Sequence, residues 1–401
     1  MKAVLVSDLR LFTIFCAIQI FRESGAKYFV ISEEAIAFNE YGSFSSSFIK
    51  RIKVEVLKAV CSLIVVTNSG NAECLDETGV ISSLISHTEN DGANQDKYPV
   101  LFSNFKSLSN GAVSVFNFLK MRGVNEIFVY NGRFASSQPL CKLAAQHRIN
   151  LWYYEWGTIP FHFHITPYPI HNFEEHAKTT LLLYENKSLL PAFYTLPSKI
   201  SPFISRKLNN KFSLNYLEKK ISKKYEVVIF LGSSHELSAL DVGRFMSNLE
   251  FCHAVFAKYG RKQYAIRSHP NQISDPSWVI LTNEIKKFVE SIGGDFYPPN
   301  SNISSYNLIA NSDVVVTYHS TICADAYFMG AKVDVFGSNI FKYFIEYCEA
   351  GGGGREVKSE KLATLCLISD YVHQQSLHPK WILLLKLFGW VDRLVVKYLE
   401  L

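Results

Sequence analysis

The sequence predicts an α/β chain of two doubly wound, Rossmann-type domains facing each other across a central cleft. Three observations predict it. Short apolar runs alternate with amphipathic stretches for most of the length, the rhythm of a parallel sheet covered on both faces. A polar, Lys-rich stretch at 205–224 interrupts that rhythm, and a second set of runs follows. The 401 residues also exceed what one core ordinarily encloses.

The elements follow in order. Residues 3–6 form an apolar run broken at once by Ser7-Asp8-Leu9-Arg10, which marks a first strand rather than a secretion signal. Strands at 28–31, 63–66, 126–130 and 151–154 are short runs rich in β-branched and aromatic residues. Helical spacing of apolar residues fills 11–21, 112–121 and 139–147. His162-Phe163-His164 alternates and reads as a strand with one wet face. The second set has strands at 226–231, 263–267, 313–317 and 332–336, with helices at 244–259, 283–292, 304–310 and 320–329. The expected organisation is an N-terminal domain over 1–204, a linker over 205–224, a second domain over 225–379 and an amphipathic helix over 380–401. That last basic, apolar segment suits a helix packed back on the protein, a peripheral contact with the inner membrane, or a junction to a further domain. Gly351–Gly354 reads as a loop.

Composition narrows the function classes. A net charge of +5 is too mild for nucleic-acid binding, which shows as a dense basic stripe. It fits an anionic small substrate. The eight cysteines contain no CxxC pair, so they predict free thiols in a reducing, cytoplasmic setting and no zinc site. No run of apolar residues is long enough to span a bilayer.

Ligands of such sheets bind outside the carboxyl ends of the strands, and four polar clusters stand there. Arg267-Ser268-His269-Pro270 follows one strand; the proline stops it and directs His269 toward the cleft. Tyr318-His319-Ser320-Thr321 lies between a strand and a helix, where hydroxyls and free N–H groups suit a phosphate or simply cap the helix. Asn302-Ile303-Ser304-Ser305-Tyr306 opens a helix, with capping expected of one serine. Gly232-Ser233-Ser234-His235-Glu236 follows the first strand of the second set and lets backbone approach a ligand closely.

Together, these residues resemble the bacterial capsule-polysaccharide and Kdo transferases. The likeness runs over residues 302–337, and over Asn131-Gly132-Arg133-Phe134, Tyr154-Glu155-Trp156-Gly157 and Pro169-Ile170-His171. It covers roughly residues 125–340 and is nearest to the retaining β-Kdo transferases of glycosyltransferase family 99. The resemblance implies a GT-B-like fold, CMP-β-Kdo as donor, and a lipid-linked or oligosaccharide acceptor destined for an O-antigen or capsule. It implies that His269, Pro270 and Arg267 meet the cytidine and phosphate, with His269 counted among the catalytic residues. Ser233, Ser234, Ser304, Tyr306 and His319 join them, Ser320 and Thr321 hold the phosphate, and Asp325 reaches the ribose. The family usually carries Glu where Asp325 stands. Glu236 is implied as the nucleophile, with Asp241 in reserve because His235 replaces a customary Asp, and Glu155 as the general base. Arg133 and His171 fall on the acceptor or carboxylate side. Another CMP-sugar transferase, or a glycan-binding domain without catalysis, shares the same pattern.

A metal is not expected. No Asp-x-Asp occurs, and a helix N-terminus, hydroxyls and imidazole can balance the single phosphate of a CMP leaving group.

Overall fold

Alternation along the first strands sends neighbouring side chains to opposite faces, and both faces are buried. Val4 and Val6, Phe29 and Ile31, Phe128 and Tyr130 enter one core cluster. Ala3 and Leu5, Val30, Ile127 and Val129 enter another. Such two-sided burial is what a parallel sheet between helical layers requires. The computed structural model describes residues 1–6, 11–32, 63–66, 80, 83, 99–156, 162–169, 172–186, 223–232, 247–269, 278–371, 374–380, 382 and 383. Contacts divide the chain into two units: Met1–Thr88 with Gly92–Ile170 and Val372–Leu401, and Glu89–Asp91 with His171–Tyr371.

In the first unit β1 (Lys2–Val6), β2 (Tyr28–Ser32), β3 (Leu63–Val66), β4 (Glu126–Tyr130) and β5 (Asn150–Trp156) pair in parallel in the order β3-β2-β1-β4-β5. Beyond β5, β6 (His162–Thr166) and β12 (Gln374–Ser376) continue the sheet antiparallel. The α1 helix (Leu11–Ser24) lies in the first core cluster; α2 (Pro99–Met121) and α3 (Gln138–Gln146) lie in the second. The chain after β12 also belongs here. His378 N–H donates to Gln19 Oε1 at 2.8 Å, Leu377 is buried, and Ile382 packs on the α1 cluster. The described part of the C-terminal segment therefore packs back on the protein; residues 384–401 lie outside the described residues.

The second unit is a five-stranded parallel sheet, β9-β8-β7-β10-β11, built from β7 (Tyr225–Phe230), β8 (Tyr264–Arg267), β9 (Asp295–Tyr297), β10 (Ser312–Thr317) and β11 (Lys332–Val335). α5 (Asn248–Tyr259) and α6 (Trp278–Ser291) cover one face. α7 (Ser305–Ala310) and α8 (Ile322–Met329) lie on the other. Two more helices, α9 (Ile340–Ala350) and α10 (Arg355–Tyr371), enclose a further cluster with α4 (Phe173–Glu185) through Ala177, Phe344, Leu362 and Leu365.

Each unit has the Rossmann strand order 3-2-1-4-5, so the two α/β parts of a GT-B-like chain are both present. Three expectations change. The division falls at 170/171 rather than 204/205, because the apolar face of α4 finds its partners on α9 and α10. The chain rejoins the first unit at Val372, inside the range assigned to the second domain. The β6 strand forms with β12 paired along its edge, and its histidine face is only partly wet: His162 is half-buried and His164 is buried. The expected linker lies almost wholly outside the described residues.

Candidate functional site

Where strand order reverses, between β7 and β10 in the second unit, the two connections leave in opposite directions, which in such sheets is where ligands bind at the carboxyl edge. Two segments of the predicted site meet there. Gly232, just past β7, has no side chain because the His319 ring fills that space: a Cβ would lie 2.6 Å from His319 Cε1. His319 is buried and meets the Tyr318 ring edge-on at 5.4 Å. Gly232 C=O accepts from Asn248 Nδ2 at 3.1 Å, which ties this turn to the start of α5.

The segment between β10 and α8 is held by the sheet itself. Thr317, fully buried, donates its hydroxyl to Phe230 C=O at 3.2 Å and accepts Ser320 N–H at 3.3 Å. Ser320 Oγ accepts from Ile322 N–H at 3.4 Å, and Asn339 Nδ2 donates to Ser320 C=O at 3.3 Å. Helix α8 thus begins at Ile322, two residues later than predicted. Thr321 occupies the cap position, but its hydroxyl makes no capping bond and the residue is exposed. Gly337 packs against Tyr318 from behind; a Cβ there would lie 2.6 Å from the Tyr318 carbonyl oxygen.

On the neighbouring helices Ser304 is the N-cap of α7 and accepts Tyr306 N–H at 3.2 Å, so its hydroxyl does the capping work foreseen for one of the serines. Burial, then the nearby Asp325 carboxylate, push the Tyr306 phenol up to about 12, which keeps it neutral and able to donate. Asp325 is half-buried in the first turn of α8, where a carboxylate is favoured by the helix dipole. Arg267 ends β8 with its side chain 2 % exposed, enclosed within the unit, while His269 beyond it is half-buried.

Arg133 and Glu155 belong to the first unit: Arg133 follows β4, which borders the corresponding reversal, and Glu155 lies near the end of β5, one strand further out. Asn131 and Gly132 turn the chain there with left-handed φ values of 60° and 82°. Asn131 Nδ2 donates to Glu155 Oε2 at 2.9 Å, and Arg133 is buried immediately after the turn. Ser233, Ser234, His235, Glu236, Asp241, Pro270 and His171 lie outside the described residues. Among the described residues no three His, Cys, Asp or Glu side chains gather as a metal site would need. Six cysteines among the described residues are buried and outside any disulfide, and no described helix is long and apolar enough to cross a membrane.

Sequence reasoning passed over Thr317, Asn339 and Asn131. Asn339 stands directly before α9 and is legible as its N-cap, since Lys342 N–H donates to its Oδ1 at 2.8 Å. Its second bond, to Ser320, spans a strand and a turn and has no sequence signal. Asn131 lies in a quoted motif, but only folding shows that it faces Glu155.

No protein-family model and no curated protein matches the chain. Among solved structures, Thermosulfurimonas dismutans KpsC, beta Kdo 2,7 transferase, is 14% identical with a TM-score of 0.39 over 67% of this chain and 83% of that one. The KpsC beta Kdo 2,4 transferase from the same organism is 13% identical, TM-score 0.32, over 64% and 83%. A Rickettsia africae glycosyltransferase is 12% identical, TM-score 0.28, over 98% of each chain. With TM-scores below 0.5 these likenesses are distant.

Proposed function

We propose that the chain is a glycosyltransferase whose second unit binds a CMP-activated acidic sugar, CMP-β-Kdo, for transfer to a hydroxyl of a growing surface polysaccharide. The observation that carries this is the convergence of Gly232, His319 and Ser320 at the reversal of a parallel sheet, ahead of the N-terminus of α8. That arrangement supplies bare backbone, an imidazole, a hydroxyl and helix N–H groups, which suits a single phosphate. Asp325 and Tyr306 stand beside it as partners for ribose hydroxyls. The motif resemblance supplies the sugar and the sequence of steps.

In the proposed reaction the Glu236 carboxylate attacks the anomeric carbon, the bond to the phosphate oxygen breaks, and CMP leaves with the bonding pair. Glu155 then takes the proton of an acceptor hydroxyl as its oxygen attacks the same carbon and releases Glu236. Two inversions give retention. Arg133 and His171 are assigned to the acceptor's or sugar's carboxylate, and the work is placed at the cytoplasmic side of the inner membrane.

The test is intact mass after incubation with freshly generated CMP-Kdo, wild type beside Glu236→Gln. One Kdo unit added to wild type alone supports donor, covalent step and nucleophile together. Product formed from CMP-sialic acid instead would replace the donor. Transfer undiminished in both Glu155→Gln and Glu236→Gln would sink the catalytic reading, since loss of a general base alone should cost about 10²–10⁴-fold.

A further inference from the structure

We infer that Asn131 is a positioning residue for Glu155, holding its carboxylate ionised and in one orientation for proton abstraction; this rests on the proposed role of Glu155 as general base. The geometry is specific. Asn131 N–H donates to Tyr154 C=O at 3.1 Å, extending the β4–β5 pairing by one residue and setting Asn131 beside Glu155. Its Nδ2 then reaches Glu155 Oε2 at 2.9 Å, while the buried His164 of β6 stands opposite Glu155 in register. The amide cannot face the other way, for that would set its oxygen against a carboxylate oxygen.

Two features of Asn131 are costs rather than gains to the fold. Its φ of 60° is left-handed, a region most side chains avoid, although Asn tolerates it better than most. Its Oδ1 is buried without a hydrogen-bond partner in a side chain only 6 % exposed. A glycine would satisfy the turn and bury no unpaired acceptor, as Gly132 next door illustrates with φ 82°. What a glycine cannot supply is the Nδ2–H bond to Glu155. That bond favours the charged carboxylate and, by anchoring one oxygen, restricts the plane of the group. A base must be ionised and aimed before it can take a proton.

The left-handed φ makes Asn131→Gly a clean deletion, because glycine keeps the backbone without strain. Asn131→Asp keeps size and turn preference but sets a second carboxylate against Glu155. The first readout needs no turnover: the Glu155 side-chain carboxyl is titrated by ¹³C NMR in the full chain, its signal assigned by its loss in Glu155→Gln. The midpoint should move to higher pH in Asn131→Gly and further in Asn131→Asp. The second readout is kinetic. Transfer to acceptor should fall roughly 10- to 100-fold in kcat, with acceptor KM little changed. The acid limb of its pH profile should rise in step with the titration, while the loss spares formation of the Kdo adduct.

A Glu155 midpoint unmoved in both variants overturns the inference. So does a moved midpoint with transfer rate and pH limb unchanged, because the residue held would then not be the base. If wild type turns over no CMP-sugar, the proposed function fails by itself. The titration then still decides whether Asn131 controls Glu155.

Discussion

The two sheets share one strand order and differ in what closes their carboxyl edges. In the first unit the reversal is a tight left-handed turn, Asn131-Gly132, with Gly132 N–H bonded to Tyr130 C=O at 2.6 Å and an amide holding a carboxylate. In the second the glycine has no left-handed φ; its missing side chain makes room for the His319 ring, and the Thr317 and Ser320 hydroxyls are tied to backbone. Topology thus places a crevice at the same point in both units, and side chains decide its use. A carboxylate fixed by an amide suits proton transfer. A bare backbone beside imidazole, hydroxyls and a helix N-terminus suits an anion.

The glycines offer the largest effect by which to break this comparison. Gly132→Ala meets both a left-handed φ and the Tyr153 ring, with Cβ 2.6 Å from Cε1, so a loss of about 2–4 kcal/mol is expected in urea unfolding. Gly232→Ala meets only the His319 ring, so about 1–2 kcal/mol should be lost while CMP affinity falls about tenfold by calorimetry. Equal affinity for CMP in wild type and Gly232→Ala would remove the second crevice from the donor site. A smaller expected effect sharpens how Ser320 is held. Thr317→Val deletes a buried hydroxyl that serves Phe230 C=O and Ser320 N–H, and should cost about 1–2 kcal/mol. CMP binding should weaken several-fold with it; an unchanged Kd would show that Ser320 needs no such anchor.

A further effect, common to both units, appears only at high pH. Burial pushes the Cys141 and Cys252 thiols up to about 12 and the Cys348 thiol to about 11, from an ordinary 9.0. Above pH 9 the unfolded chain releases these protons and the folded chain keeps them, so their stabilising contribution is complete below 9.0 and is lost as pH rises through the folded values. Thermal unfolding should therefore hold steady to about pH 9 and move to lower temperature by pH 11. A melting temperature flat across that range would mean the thiols are not shielded.

Strands were the most legible part of the molecule, because runs such as Leu63–Val66 and Glu126–Tyr130 carry their own β signal, and the second is buried from Ile127 onward. Helices α9 and α10 went unpredicted; their apolar residues join a cluster with α4 and with Val335 of β11. At the candidate site, His319, Ser320 and Tyr306 stand where the sequence shows polar residues at strand ends and helix starts. Thr317 escaped notice because, within an apolar strand, a threonine looks like any β-branched residue until its hydroxyl finds Phe230 and Ser320.

The sequence by itself determined two sets of strands and helices, their order along the chain, and the ends of strands where polar residues accumulate, because propensity and periodicity act over a few neighbours. Tertiary structure alone decided that α4 joins the second unit, that β12 returns to pair with β6, that Gly232 yields its space to His319, and that Asn131 grips Glu155. Each of these joins residues from separate elements. Their meeting depends on strand order and on which faces are left to bury, and a linear pattern carries neither.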